Sequence, residues 1–255
     1  MHTPLVRRRA LAWFILLPTL ALSLALSSTG CATSGETLSG EPEQPAEIEQ
    51  PVTGDDAWAE HTMTDLEGRL QQAARVEIDF EIESQGAVAS EFRGTLRWTR
   101  AGEISLEAQG SFMGQAQNLA WKGDAQTFAT IVAGEQHSSG PRPKALIEAV
   151  VISFTRQGLL HNLAVLVGGL PPTLADGGIG EWLKVDQVRL GPPERFGETS
   201  ASPLEFGIEV EGQHVGLATL WLREGNMPLE RQQTVQFPEG QMKVVERYTR
   251  FEITD

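Results

Sequence analysis

The chain of 255 residues has one cysteine, Cys31, and one tyrosine. A lone cysteine excludes a disulfide framework, even for a protein exported to an oxidising compartment. The signature Gly-x-Ser-x-Gly is absent, as are His-Glu-x-x-His, Gly-x-Gly-x-x-Gly and a Walker loop. His61, His137, His161 and His214 are far apart and lack the Cys or carboxylate spacing of a metal site. These residues call for no enzyme activity, no cofactor and no metal. Basic charge is scarce too. Residues 1–30 hold three of the 20 basic residues and no acid, which leaves 17 basic residues against 34 acidic in the remainder. Such a surface repels phosphate backbones, so nucleic acid is not the expected partner.

What the sequence does hold begins at its N-terminus. Arg7-Arg8-Arg9 precede an uncharged run over 10–26, and small residues follow in Ser27-Ser28-Thr29-Gly30-Cys31-Ala32. A basic start, an apolar centre and small residues before a cleavage point make residues 1–30 a signal peptide. Pro18, the short run and the lack of a charged stop argue against a membrane-spanning helix. The residues leading into Cys31 resemble the lipobox of bacterial lipoproteins. That resemblance implies lipidation of Cys31 and anchoring to a membrane. The absence of Asp at position 32 implies sorting to the outer membrane. Residues 31–56 then form an acidic tether, because 32–56 carry seven acids, no base and no aromatic. Residues 57–255 suit one domain with a real core.

Within that domain two periodicities alternate. Thr64 and Glu67 form a capping-box pattern opening a helix over 64–73, with Leu66 and Leu70 at helical spacing. In "RVEIDFEIES" (75–84), Val76, Ile78, Phe80 and Ile82 alternate strictly with Glu77, Asp79, Glu81 and Glu83. This is a strand with one apolar and one wet face. Strand 91–100 directs Phe92, Leu96 and Trp98 inward, and strand 103–108 does the same with Ile104 and Leu106. Further strands are expected at 112–121, 125–133, 181–190, 203–211, 214–222, 229–237 and 242–253, bringing Trp121, Phe128 and Phe206 inward. Between them, 143–169 is helical, with Val150, Phe154, Leu159 and Leu163 on its apolar surface and a break at Gly158. The adjoining stretch to 180 is rich in Gly and Pro and is expected to be mobile. The expected class is α+β: about ten antiparallel strands in a strongly curved sheet, covered by a few helices. Such a sheet either fills itself or keeps a cavity for an apolar guest, and its own residues leave both open.

The helix "DLEGRLQQ", the strand "FRGTLRW", the apolar helical insertion and the ending "LREGNMPLERQQTVQFPEGQMKVVERYTRFEI" (222–253) together resemble the LolA/LolB-type lipoprotein carrier superfamily over residues 64–253. The resemblance implies an open half-barrel lidded by helices, with acyl chains of lipoproteins or lipids bound between. Cys31 makes the chain resemble the lipidated receptor or the lipid-carrying lipoproteins of that superfamily. Such a likeness implies a periplasm-facing protein on the outer membrane, working with a carrier or transporter protein. The expected lining is Phe80, Ile82, Phe92, Leu96, Trp98, Ile104, Leu106, Trp121, Phe128, Val150, Phe154, Leu159, Leu163 and Phe206. A non-catalytic envelope scaffold with a solid core is the alternative.

Overall fold

The computed structural model describes residues 56–160, 178–237 and 240–255. A helix, α1 (Asp56–Gln72), leads into six strands joined by tight connections. These are β1 (Arg75–Gly86), β2 (Ser90–Thr99), β3 (Ile104–Phe112), β4 (Gln115–Gly123), β5 (Thr127–Val132) and β6 (Glu135–Pro141). Helix α2 (Leu146–Gln157) and a single helical turn, α3 (Ile179–Trp182), interrupt the strands. Six more strands complete the domain: β7 (Leu183–Leu190), β8 (Glu194–Phe196), β9 (Thr199–Val210), β10 (Gln213–Arg223), β11 (Met227–Phe237) and β12 (Gly240–Thr254).

All twelve belong to one antiparallel sheet, ordered β6-β5-β4-β3-β2-β1-β12-β11-β10-β9-β7, with β8 paired to β9 off that path. Its edges, β6 and β7, are not paired to each other, so the sheet stays open. Consecutive hairpins build each half, and the pairing of the first strand with the last joins the halves, from Arg75 opposite Thr254 to Gly86 opposite Met242. The fold is the expected open α+β sheet.

Alternation of side chains sorts the two faces. Val76, Ile78, Phe80 and Ile82 are buried on one side of β1, as are Phe92, Leu96 and Trp98 on β2. On the other side Glu77 accepts hydrogen bonds from Arg75 (2.6 Å) and Arg250 (2.7 Å) and pairs with Arg97 at 2.9 Å. The helices cover the apolar side. Helix α1 packs against β7 and α2, and the Trp98 indole donates to the Leu70 carbonyl near its end (3.2 Å). Phe154 of α2 lies 5.3 Å from the Tyr248 ring and 5.7 Å from Phe251, both on β12. Among the described residues no helix is long and apolar enough to cross a membrane.

Three expectations need correction. The first helix starts at Asp56, so Thr64 lies inside it and donates to the Glu60 carbonyl (2.9 Å) in place of capping an end. Glu67, expected to close the capping box, is buried. Second, β6 and β8 raise the strand number from about ten to twelve. β6 reads Glu-Gln-His-Ser-Ser-Gly-Pro and is exposed along almost its whole length, so it has no apolar alternation to betray it, and β8 is three residues long. Third, residues 179–182 form a helical turn where a strand was expected to open at 181. The break at Gly158 is present, and α2 ends there.

Gly94 shows how tightly the inner face is closed. A Cβ at this position would collide with the Glu107 carbonyl and lie 2.9 Å from Phe80 Cζ, so the Phe80 ring occupies the space a side chain would need. Gly94→Ala is expected to destabilise the domain by about 1–3 kcal/mol, the usual cost of overpacking. Urea unfolding followed by circular dichroism measures this, and an unchanged midpoint would contradict the packing.

Candidate functional site

The strand register assembles most of the expected lining into one patch. Ile82 lies opposite Phe92, Leu96 opposite Leu106, Trp98 opposite Ile104 and Leu106 opposite Trp121. Each of these side chains is no more than 3% exposed. Phe80, Val150, Phe154 and Leu159 are equally buried. Phe128 is half-buried towards the β6 edge, 6.4 Å from the Trp121 ring. Phe206 is buried but lies on β9, separated from the main patch by β12, β11 and β10. Leu163 lies outside the described residues, as does most of the Gly- and Pro-rich stretch expected to be mobile. The inner face is therefore a continuous apolar surface, densest on β1 to β4.

In its middle sits a polar cluster. Arg231 of β11 is fully buried and donates to the carbonyls of Thr155 (2.8 Å) and Arg156 at the end of α2, and to Gln233 Oε1 (3.0 Å). Opposite it on β12, Glu246 is 1% exposed. Its carboxylate accepts the backbone N–H groups of Leu159 (2.9 Å) and Leu160 (2.8 Å) and the Tyr248 hydroxyl (2.9 Å). The end of α2 leaves carbonyls without partners. The Arg231 cation serves them, as the peptide dipole favours, while the Glu246 anion takes the N–H groups just beyond Gly158. Gly158 joins the two sets with φ +83°, and a Cβ there would sit 2.7 Å from Glu246 Oε1. A second pair binds the helices to each other. Arg156 grips Glu67 of α1 through two hydrogen bonds (2.9 and 3.0 Å) and donates to the carbonyls of Gly180 and Leu183, while Thr155 also donates to Glu67 (2.9 Å). Each buried charge is thus matched by charge-assisted hydrogen bonds, without which burial would be prohibitive.

None of this cluster was among the expected site residues. A signal for it exists in the sequence. Glu246 shares the inward phase of Met242, Val244 and Tyr248, Arg231 that of Gln233 and Val235, and Glu67 the buried side of a helix with Leu66 and Leu70. A charge in an apolar phase marks a buried polar contact.

Two open grooves, of about 610 and 530 Å³, lie on the sheet around its outward side. Phe80, Leu119 and Ile131 border the first, and Ile82 and Phe92 the second, with Glu81, Arg93, Gln109 and Asn118 common to both, so each has a mixed polar and apolar lining.

No protein-family model matches the sequence, and no curated protein matches it. Solved structures do match. A chain of the Pseudomonas aeruginosa MucA/MucB complex aligns with a TM-score of 0.38 and 17% identity, over 77% of this chain and 57% of that one. This chain therefore spans little more than half of that protein. A LolA superfamily protein from Nitrosomonas europaea aligns at 0.30 and 9% identity, over 77% of this chain and 94% of its own. An outer membrane lipoprotein-sorting protein domain from Vibrio parahaemolyticus aligns at 0.29 and 9%, over 76% and 93%. The LolA-type resemblance read from the sequence thus recurs among the structural neighbours. At these values the likeness concerns the course of the chain and says nothing of what it binds.

Tyr248 offers a direct test of the buried cluster. Burial, and next the Glu246 carboxylate, push its phenol well above the ordinary value. The unfolded chain therefore loses this proton first, near pH 10, so the stability present below that pH declines as pH rises through and beyond it. Tyr248 is the only tyrosine, so an alkaline absorbance titration reads it alone. Tyrosinate is expected to appear only together with loss of the β-sheet dichroism. Titration near pH 10 in a folded protein would show that the hydroxyl is not enclosed.

Proposed function

We propose that the protein is an envelope lipoprotein, anchored through Cys31, that binds acyl chains of lipoproteins or lipids against the inner face of its sheet. The observation that carries this reading is the apolar patch from Phe80 to Trp121. It is rich in rings and covered by short helices in place of a second sheet. Helices are the separable layer here. They meet the sheet through apolar packing, as Phe154 does on Tyr248 and Phe251, and through defined polar contacts at the end of α2, so a guest chain can replace part of the packing while the polar contacts hold. Each CH₂ withdrawn from water is worth roughly 0.8 kcal/mol, so one or two acyl chains bind usefully without any catalytic group. Outer-membrane sorting and a role in lipoprotein or lipid transport belong to the same reading.

The near-complete burial of the expected lining favours a second reading, in which the core is solid and the protein is a scaffold or adaptor. One experiment separates them. The protein is extracted from its native membrane and examined by native mass spectrometry, after growth with an alkynyl fatty acid that labels lipoproteins. The expected result is a covalent label lost in Cys31→Ala, together with a non-covalent lipid retained by the folded domain. In Phe154→Leu, which keeps the position apolar, the retained lipid should decline while circular dichroism stays unchanged. A labelled protein that holds no lipid and ignores a fluorescent fatty-acid probe would be the scaffold.

Met113 gives the reading a place of contact. It is 59% exposed at the turn between β3 and β4, with φ +50°, next to Gly114. Its backbone N–H donates to Ala89 (2.8 Å), which brings this tip beside the β1–β2 turn with Ala87 and Val88. No charged residue lies in 86–90 or 108–121. In the carrier reading this uncharged rim touches the lipid surface where cargo is exchanged. Met113→Asp should leave lipid retention intact and slow transfer of a fluorescent lipid to vesicles several-fold. Equal transfer rates would remove the rim from the mechanism.

A further inference from the structure

We propose that the indole N–H of Trp121 is the polar fixture of the acyl-binding face, donating to the carbonyl oxygen of an ester- or amide-linked acyl chain. The proposal rests on the carrier reading and names its ligand class. Trp121 is fully buried, yet its Nε1 has no hydrogen-bond partner among the described residues. Trp98 donates to the Leu70 carbonyl and Trp182 to Glu211 Oε1 at 3.0 Å, whereas Nε1 of Trp221 on β10 is, like that of Trp121, buried without a partner among the described residues. A buried donor without an acceptor is costly, and native proteins leave few.

The surroundings decide what the acceptor is. Cross-strand neighbours of Trp121 are Leu106 on β3 and Thr130 on β5, and Phe128 packs against its ring. The Thr130 hydroxyl is engaged with the Ser138 hydroxyl at 2.6 Å. A water here would have to draw its further partners from the Thr130–Ser138 pair. A fatty alcohol would satisfy the indole but bring an O–H donor of its own. A free carboxylate would carry a full charge into an apolar site. An ester or amide carbonyl has an acceptor oxygen, no proton to place and no charge, and it is joined to the hydrocarbon that the rest of the face takes up. This selects acylated lipids and lipoproteins over free fatty acids and alkyl ethers.

The test uses two lipids that differ only in that carbonyl: 1-palmitoyl-lysophosphatidylcholine and 1-O-hexadecyl-lysophosphatidylcholine. Each displaces a fluorescent acyl probe from the delipidated protein, below micellar concentration. Wild type is expected to prefer the ester by roughly three- to tenfold, the range of one net hydrogen bond. Trp121→Phe, which keeps a ring and removes the N–H, should bind both alike, with ether affinity unchanged. Without lipid, this variant is expected to melt somewhat lower than wild type, because the smaller ring leaves part of the indole space empty. Equal affinities in wild type, or a preference that survives in the variant, overturns the proposal while leaving the carrier reading in place. If neither lipid displaces the probe nor binds directly, the carrier reading fails and the proposal fails with it.

Discussion

An open antiparallel sheet whose inner face is mostly apolar must have that face covered, and here the cover is short. Helix α2 has twelve residues and α1 seventeen, against twelve strands. Everything distinctive about the domain stems from this mismatch. A helix resting on a flat array of Phe, Leu and Trp side chains has little to fix its position, because hydrophobic contact is non-directional. The buried charges supply the direction. Arg231 and Glu246 meet the two sides of the chain break at Gly158, and Arg156 ties α2 to α1 through Glu67. The helical layer is placed by hydrogen bonds and only stabilised by burial.

That division suits a binding role. Had the helices been held by interlocked apolar packing alone, any guest would have had to dissolve the core. Polar anchors concentrated at one end of α2 allow the apolar contacts elsewhere to be exchanged for a ligand's hydrocarbon. The same anchors impose limits. A buried ion stripped of one partner is costly, so in the proposed carrier a guest chain would lodge towards β2, β3 and β4. There Trp98, Leu106 and Trp121 are gathered, away from Glu246.

The outward face obeys different rules. Glu77 is ringed by Arg75, Arg97 and Arg250, and Arg247 pairs with Glu230 at 3.2 Å, so charge in an acidic protein is balanced locally along the strands. In each pair the arginine is exposed and the carboxylate is largely covered. The pairs keep this face wet, which pins the register: a slip of one residue would turn Glu77, Asp79 and Glu81 into the core.

Much of this architecture was legible beforehand, for a physical reason. Period-two alternation is a local property, so β1, β2, β9 and β12 and their inward residues could be assigned from neighbouring letters alone, as could the glycine break after α2. The strands without alternation, β6 and β8, were invisible because pairing with a neighbour made them strands. The first helix was misplaced at its start because Thr64 and Glu67 have the form of a cap. Tertiary contact with Arg156 and Thr155 claimed Glu67 instead. The sequence by itself determined the class of fold and the side most strands bury, since these depend on composition and short periods. Only the tertiary structure decided that Arg231 and Glu246 grip the end of α2 and that Trp98 finds an acceptor while Trp121 does not. Those partners lie from 28 to 87 residues apart in the chain, and no local pattern encodes such distances.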